Sequence, residues 1–129
     1  MSEQKFYKCN HCGNVLLPAF DAGVTPSCCG EKMQILEPNS TEAAVEKHMP
    51  VVEKEADGHH VNIDVGAVEH PMTDEHYIQF IALFEGDKVR FVKLKPGDKP
   101  FLRLSIKDNT QLCAVYEYCN LHGLWKIEC

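Results

Sequence analysis

The sequence lacks any run of about 18 apolar residues, so no transmembrane helix is expected. It also lacks an apolar signal-peptide core, because polar residues lead directly to Cys9, and we therefore expect a cytoplasmic protein. A basic excess is missing as well, since the formal net charge is −6 over 129 residues. An acidic chain is poorly suited to non-specific nucleic-acid binding, so neither nucleic acid nor membrane is an expected partner.

Side chains that bind metals are abundant instead. The sequence has seven cysteines and seven histidines. In a reducing compartment, this many cysteines indicate metal ligands rather than disulfides, and an odd count leaves at least one thiol outside any full pairing. Two cysteines lie outside recognisable motifs: Cys113 is expected to be a small core residue, and Cys129 a free thiol. The counts predict a metalloprotein without choosing the metal.

Four of the cysteines lie near the N-terminus, in a segment with few large apolar side chains. Residues 1–37 are too few to bury a stable core without a staple, which four thiolates around one metal would supply. Cys9 and Cys12 form a Cys-X2-Cys-Gly knuckle, whereas Cys28 and Cys29 are adjacent and require an S–metal–S angle that departs from the tetrahedral value. The site is either an FeS4 electron-transfer centre or a structural zinc knuckle, because tetrahedral sulfur ligation suits both metals.

The remainder of the chain is predicted to be mainly β. Residues 38–44, rich in Pro, Asn, Ser and Thr, are predicted to form a linker to a domain of residues 45–129. Val61, Ile63 and Val65 alternate with polar residues, which is typical of a half-buried strand. Turn signals recur about every ten residues, which favours an antiparallel β-sandwich. Further strands are predicted at residues 77–84, 89–94, 101–106 and 112–118, the last of them ending the sandwich.

Five further candidate ligands lie in this β region, at His48, His70, His76, Cys119 and His122. A single histidine in a loop is usually a surface residue, and Cys-X2-His spacing alone is a moderate signal. Their positions favour a shared site, because they flank the predicted strands, and strand ends can cluster at one end of a sandwich. A thiolate with several imidazoles suits iron, copper or zinc, so the residues leave the metal open.

Together these motifs resemble those of desulfoferrodoxin, the two-iron form of superoxide reductase, over essentially the whole chain. The N-terminal cysteines are similar to the desulforedoxin-type domain. The catalytic-domain motifs are matched by Glu46-Lys47-His48, His70-Pro71-Met72, His76 and Cys119-Asn120-Leu121-His122-Gly123. The resemblance implies two irons per chain: a distorted FeS4 centre held by Cys9, Cys12, Cys28 and Cys29, and a second iron held by His48, His70, His76 and His122 with Cys119 as axial thiolate. It also implies an immunoglobulin-like sandwich and a homodimer.

The activity implied by this resemblance is the one-electron reduction of superoxide to hydrogen peroxide at the ferrous His4Cys site. An external donor such as rubredoxin would re-reduce the iron, and the result is detoxification of reactive oxygen species. Lys47 would attract the anion, and Glu46 resembles a carboxylate that can occupy the open position of the resting ferric site. Two alternatives stay open on the residues alone: an electron carrier that uses only the FeS4 centre, and a zinc hydrolase with Glu46 as general base.

Overall fold

The computed structural model describes residues 4–41, 48–66 and 69–129. Over these residues the chain forms twelve β-strands and one short 3-10 helix, Asn109–Gln111. The mainly β prediction is confirmed. No helix within the described ranges is long and apolar enough to cross a membrane. The chain divides into two compact units, Met1–Glu37 and Pro38–Cys129.

The first unit contains five short strands. They are β1 (Phe6–Lys8), β2 (Val15–Leu16), β3 (Ser27–Cys28), β4 (Glu31–Lys32) and β5 (Gln34–Leu36). Strand β1 is the centre of an antiparallel sheet of order β2-β1-β5, and β3 pairs with β4. A core cluster of this unit consists of Tyr7, Cys9 and Met33, with Cys28 packed against it. So small a core leaves the unit in need of a cross-link.

The second unit contains the other seven strands. They are β6 (Pro50–Lys54), β7 (His60–Val65), β8 (Ile78–Glu85), β9 (Lys88–Lys93), β10 (Phe101–Ser105), β11 (Leu112–Cys119) and β12 (Gly123–Glu128). They form a three-stranded sheet of order β10-β7-β6 and a four-stranded sheet of order β12-β11-β8-β9, both antiparallel. The arrangement is an immunoglobulin-like antiparallel sandwich, as the sequence predicted.

Residues of both sheets meet in one apolar core. On β7 the alternation places Val61, Ile63 and Val65 inside, where none of the three is more than 2% exposed. They pack with Ile81 and Leu83 of β8, among others. The predicted hairpin also forms, since Glu85 pairs with Lys88 across the β8–β9 turn.

Strand β12 was not expected, and the prediction that residues 112–118 form the last strand is wrong. Strand β12 pairs with β11 from Cys119↔Gly123 to Ala114↔Glu128. The alternating signal is absent here because two consecutive residues, Leu124 and Trp125, are both 2% exposed. A strand that is buried on both faces at one point does not alternate between apolar and polar residues.

Candidate metal centres

Strand pairing within each sheet and packing between the sheets collect the histidines at one end of the sandwich. The start of β6 pairs with the end of β7, and the start of β8 and the start of β12 both pair with the end of β11. His48 precedes β6, His70 and His76 lie in the connection from β7 to β8, Cys119 ends β11, and His122 precedes β12. Because β6 of one sheet packs against β12 of the other, residues as far apart in sequence as His48 and His122, which are 74 positions apart, come together.

The four histidine rings form a square. Neighbouring rings in the order His48, His70, His76, His122 have centroids 4.7–5.0 Å apart and are nearly perpendicular, with interplanar angles of 78–88°. His48 and His76 are on a diagonal, 6.5 Å apart and inclined by 26°. A square with sides of the lengths just given has a diagonal close to this distance. The rings thus surround one common point.

The ring nitrogens also face that point. His48 Nε2 lies 3.1 Å from His70 Nε2 and 3.0 Å from His122 Nδ1. Two nitrogens that each lie about 2.1 Å from one metal, at a right angle, are about 3.0 Å apart. The separations therefore fit adjacent ligands of a single ion. His122 presents Nδ1 to the centre, whereas His48 and His70 present Nε2.

His70 is prepared to be a neutral ligand. Its Nδ1 lies 2.7 Å from the Pro71 carbonyl oxygen, which accepts a hydrogen bond from that nitrogen and leaves the lone pair on Nε2. Burial lowers the pKa of His70 to about 4, with a smaller opposing effect from the Pro71 carbonyl. The imidazole is accordingly uncharged at neutral pH, and an uncharged ring is the form that binds metals.

Cys119 joins the histidines as a sulfur donor. Its side chain is fully buried, and its Sγ lies 4.0 Å from His122 Nδ1. The candidate donor atoms of His48, His76, Cys119 and His122 all lie within 4.8 Å of one another. Burial raises the pKa of the Cys119 thiol, while the backbone N–H groups of Leu121 and His122 act against the increase. A thiolate here needs a nearby cation, which a metal bound by the imidazoles would provide.

Two buried side chains beside this centre were not predicted from the sequence. Trp125 stacks on His48 with ring centroids 5.1 Å apart, and its Nε1 donates to the His122 carbonyl at 3.2 Å. Glu117 is fully buried on β11, and neither carboxylate oxygen has a hydrogen-bond partner in the described part of the chain. Burial raises the pKa of Glu117 to about 9. A glutamate inside the apolar run of residues 112–119 was the available signal.

The N-terminal cysteines form a second group, whose four Sγ atoms all lie within 4.8 Å of one another. Cys12 Sγ lies 3.6 Å from Cys28 Sγ, and Cys28 Sγ lies 3.9 Å from Cys29 Sγ. Four sulfurs at about 2.3 Å from one metal in a tetrahedron are about 3.8 Å apart. Adjacent ligands become possible because Cys29 has a φ of 53°, a left-handed conformation that non-glycine residues seldom adopt.

The thiols of this group influence one another's protonation. The backbone N–H of Cys12, 3.5 Å from Cys9 Sγ, is the main cause that lowers the pKa of Cys9 to about 6. Hydrogen bonding with Cys9 and then Cys12 raises the pKa of Cys29 to about 12, and hydrogen bonding with Cys12 raises that of Cys28. One thiolate forms easily, but four in contact need a cation, so this donor set also fits a metal.

A third group of potential ligands is an ion-pair network. Glu55, Asp57 and His60 have donor atoms within 4.8 Å of one another. Both oxygens of Glu55, however, accept hydrogen bonds from Arg103, at 2.7 and 2.9 Å, and His60 Nδ1 lies 2.6 Å from Asp57 Oδ2. These carboxylates therefore already have cationic and hydrogen-bonding partners.

The proposed catalytic residues Glu46 and Lys47, and part of the predicted linker, lie outside the described residues.

Comparison with known proteins identifies the family. The desulfoferrodoxin family model matches residues 40–128. A desulfoferrodoxin from Nitratidesulfovibrio vulgaris is 43% identical over 128 residues, which cover 98% of each chain. The superoxide reductase structure from Treponema pallidum covers 98% of this chain and 100% of its own, with 32% identity and a TM-score of 0.78. The superoxide reductase (1Fe-SOR) from Giardia intestinalis covers 65% of this chain and 99% of its own, with 32% identity and a TM-score of 0.53.

The fold and the two donor groups define a small β metalloprotein with a sulfur-only centre and a histidine–cysteine centre. The chain belongs to the desulfoferrodoxin family, because the family model matches most of the chain and a desulfoferrodoxin matches nearly its full length.

Proposed function

We propose that this chain is a superoxide reductase, an oxidoreductase that converts superoxide to hydrogen peroxide at the histidine–cysteine centre. The observation that carries the proposal is the square of four imidazoles with a buried cysteine beside it, at one end of the sandwich. Relatives that match this chain over most of their length are named superoxide reductases. The reaction consumes one superoxide, one electron and two protons and forms one hydrogen peroxide, which removes a reactive oxygen species.

The cofactors are two iron ions per chain. The sulfur-only centre would be held by Cys9, Cys12, Cys28 and Cys29, and the histidine–cysteine centre by His48, His70, His76, His122 and Cys119. Iron held by these residues would supply the electron that superoxide accepts and a positive charge that favours the anion. These residues would offer five donors to an ion at the second centre and leave room for a small substrate to bind to it.

The surrounding residues fix the charge state of the donors. The Pro71 carbonyl keeps the His70 proton on Nδ1 and directs the Nε2 lone pair to the centre. The backbone N–H groups of Leu121 and His122 favour the thiolate form of Cys119 and partly offset the burial that raises its pKa. Trp125 covers one face of His48 and limits the access of water to that ligand. These contacts hold the donors in place before the metal binds.

Lys47 supplies the local positive charge that this acidic chain needs near the site. With a net charge of −6, the whole protein does not attract an anionic substrate at long range. A lysine adjacent to the ligand His48 would create a positive potential near the site. Its ammonium group would also orient hydrogen-bonding water near the substrate. Glu46, its neighbour, would occupy the open position when the site is oxidised.

Residues 1–37 form a desulforedoxin-like FeS4 domain in this proposal, residues 38–44 a linker, and residues 45–129 the reductase domain. The division into Met1–Glu37 and Pro38–Cys129 supports the first boundary. Rubredoxin or a similar electron donor re-reduces the second iron, which makes electron transport part of the function. The protein acts as a homodimer in the cytoplasm.

The test is a metal count combined with visible spectra during stepwise addition of superoxide. We expect two irons per chain, constant FeS4 bands, and a separate ferric–thiolate band that grows with each addition and disappears in Cys119→Ser. Zinc at the second centre would favour a hydrolase. A protein with iron only at the first centre and no optical response would be an electron carrier. Either result would overturn the proposal.

A further inference from the structure

The side chain of Asn120 joins the two segments that carry most of the histidine–cysteine centre. Its Oδ1 accepts a hydrogen bond from the Tyr77 N–H at 2.9 Å, and its Nδ2 donates to the Glu75 carbonyl at 2.9 Å. The backbone N–H of Asn120 also donates to the Tyr77 carbonyl at 3.2 Å. Asn120 therefore binds the residues on both sides of His76, while it directly follows Cys119.

This contact lies where the regular strand pairing stops. The β8–β11 ladder is in register from Ala114↔Phe84 to Tyr118↔Phe80 and then shifts before Cys119↔Ile78. Beyond that irregularity, the backbone hydrogen bond from the Asn120 N–H to the Tyr77 carbonyl still links the two segments, and the side chain of Asn120 adds two further contacts beside it. The amide of Asn120 presents one acceptor and one donor to the backbone of Glu75 and Tyr77, as a paired strand would. It thereby extends the connection past the end of the ladder.

We propose that Asn120 is a positioning residue that sets the placement of His76 relative to Cys119 and His122. The inference rests on the proposed use of these three residues as ligands of one metal. Asn120 itself does not touch the centre, and its effect passes through the backbone of residues 75–77. Partners that orient metal ligands typically change metal affinity by about 10–100-fold when they are removed.

A suitable control is Asn109, which makes the same kind of contact away from the centre. Its Nδ2 donates to the carbonyl oxygens of Glu55 at 2.8 Å and His60 at 3.1 Å, and its side chain is 4% exposed. Both asparagines thus make two side-chain hydrogen bonds to backbone groups of a distant segment. A variant of Asn109 is expected to lower the stability of the sandwich and to leave the residues around His76 unchanged.

The experiment follows iron loss from the full-length, iron-loaded protein in excess chelator. The absorption bands of the two centres report each iron separately, and the sulfur-only centre is an internal reference. We expect Asn120→Ala to lose the second iron at least about 10-fold faster than the unchanged chain and to shift the ferric–thiolate band. Loss from the first centre should stay unchanged, and Asn109→Ala should resemble the unchanged chain at both centres.

Two results would overturn the inference: retention of the second iron by Asn120→Ala at the unchanged rate, or equal acceleration in Asn109→Ala. Asn120→Asp keeps the acceptor for the Tyr77 N–H but replaces the donor to the Glu75 carbonyl with a second, negatively charged oxygen, so it still breaks this contact and decides the question if the alanine variant does not fold. A protein that holds zinc at the second centre would refute the proposed function. Zinc release, followed with a colorimetric indicator, would still test the positioning role by the same comparison.

Discussion

Gly123 offers a sharp test of how the turn after His122 is built. It begins β12 with a φ of +83°, and a Cβ added there would lie 3.3 Å from Thr41 Cγ2, closer than most real Cβ contacts. Thr41 also donates its hydroxyl to the His122 carbonyl. Gly123→Ala therefore introduces backbone strain and a side-chain contact at the same turn.

The two effects can be separated with a second glycine. A non-glycine residue in the left-handed region costs about 1–2 kcal/mol. Gly58 has a φ of +78°, and a Cβ added to it would meet nothing within 4 Å, so Gly58→Ala measures this cost alone. We expect Gly123→Ala to lower the free energy of unfolding by roughly 0.5–1 kcal/mol more than Gly58→Ala does. This difference is the cost of the contact with Thr41 Cγ2, at the low end of overpacking costs. Replacing glycine by alanine also reduces the conformational entropy of the unfolded chain, but this effect is common to both variants and cancels when their free energies of unfolding are compared.

The assay is guanidinium unfolding of the iron-loaded full chain, followed by circular dichroism. Thr41→Ser removes the Cγ2 atom and keeps the hydroxyl, so it should recover the extra cost when combined with Gly123→Ala. Equal costs for the two alanine variants, or no recovery in the double variant, would refute the reasoning about this contact.

Four further predictions concern charge, the two centres and pH. Lys47→Ala should slow the second-order reaction with superoxide and weaken its dependence on salt, whereas Lys107→Ala should not; pulse radiolysis over a range of ionic strength measures both. Cys12→Ser should abolish the FeS4 bands, and unchanged turnover with a protein electron donor would then exclude a relay role for that centre. The single tryptophan, Trp125, stacks on His48, so its fluorescence should rise when a chelator removes the second iron, and a constant signal would argue against metal at His48. Arg103 lowers the pKa of Glu55 below its usual 4.5, so the stabilisation from this pair is complete above the unfolded-state pKa and is lost as pH falls through the folded-state value. In Glu55→Gln, the free energy of unfolding should therefore fall less steeply as the pH is lowered into the acidic range. An equally steep fall would contradict this.

The sequence was most informative where a local pattern determines the structure. The alternation at Val61, Ile63 and Val65 predicted β7, and the position of the histidines beside strands predicted that they would lie together. The adjacent cysteines indicate unusual ligand geometry, but the positive φ of Cys29 that allows it is not predictable, because composition gives no sign of a left-handed non-glycine residue.

Contacts between distant segments were the hardest to predict. The motif around Asn120 does not predict its hydrogen bonds, because its partner Tyr77 is 43 positions away in sequence. Glu117 is unusual in the apolar run of residues 112–119, but only the pairing and packing of β11 show that both faces of this strand are buried. In each case the decisive neighbour belongs to another strand, which a pattern within one segment does not reveal.

The spacing of the ligands in sequence has a consequence for the order of assembly. All four ligands of the sulfur-only centre lie between Cys9 and Cys29, so a short loop closes around that metal. The other centre joins His48 to His122, across 74 positions, and needs β6, β8, β11 and β12 in register first. During synthesis, we expect the first iron to be captured while the chain is still emerging from the ribosome. The second can be captured only after β12 has been made, so maturation of the catalytic centre waits for the last strand.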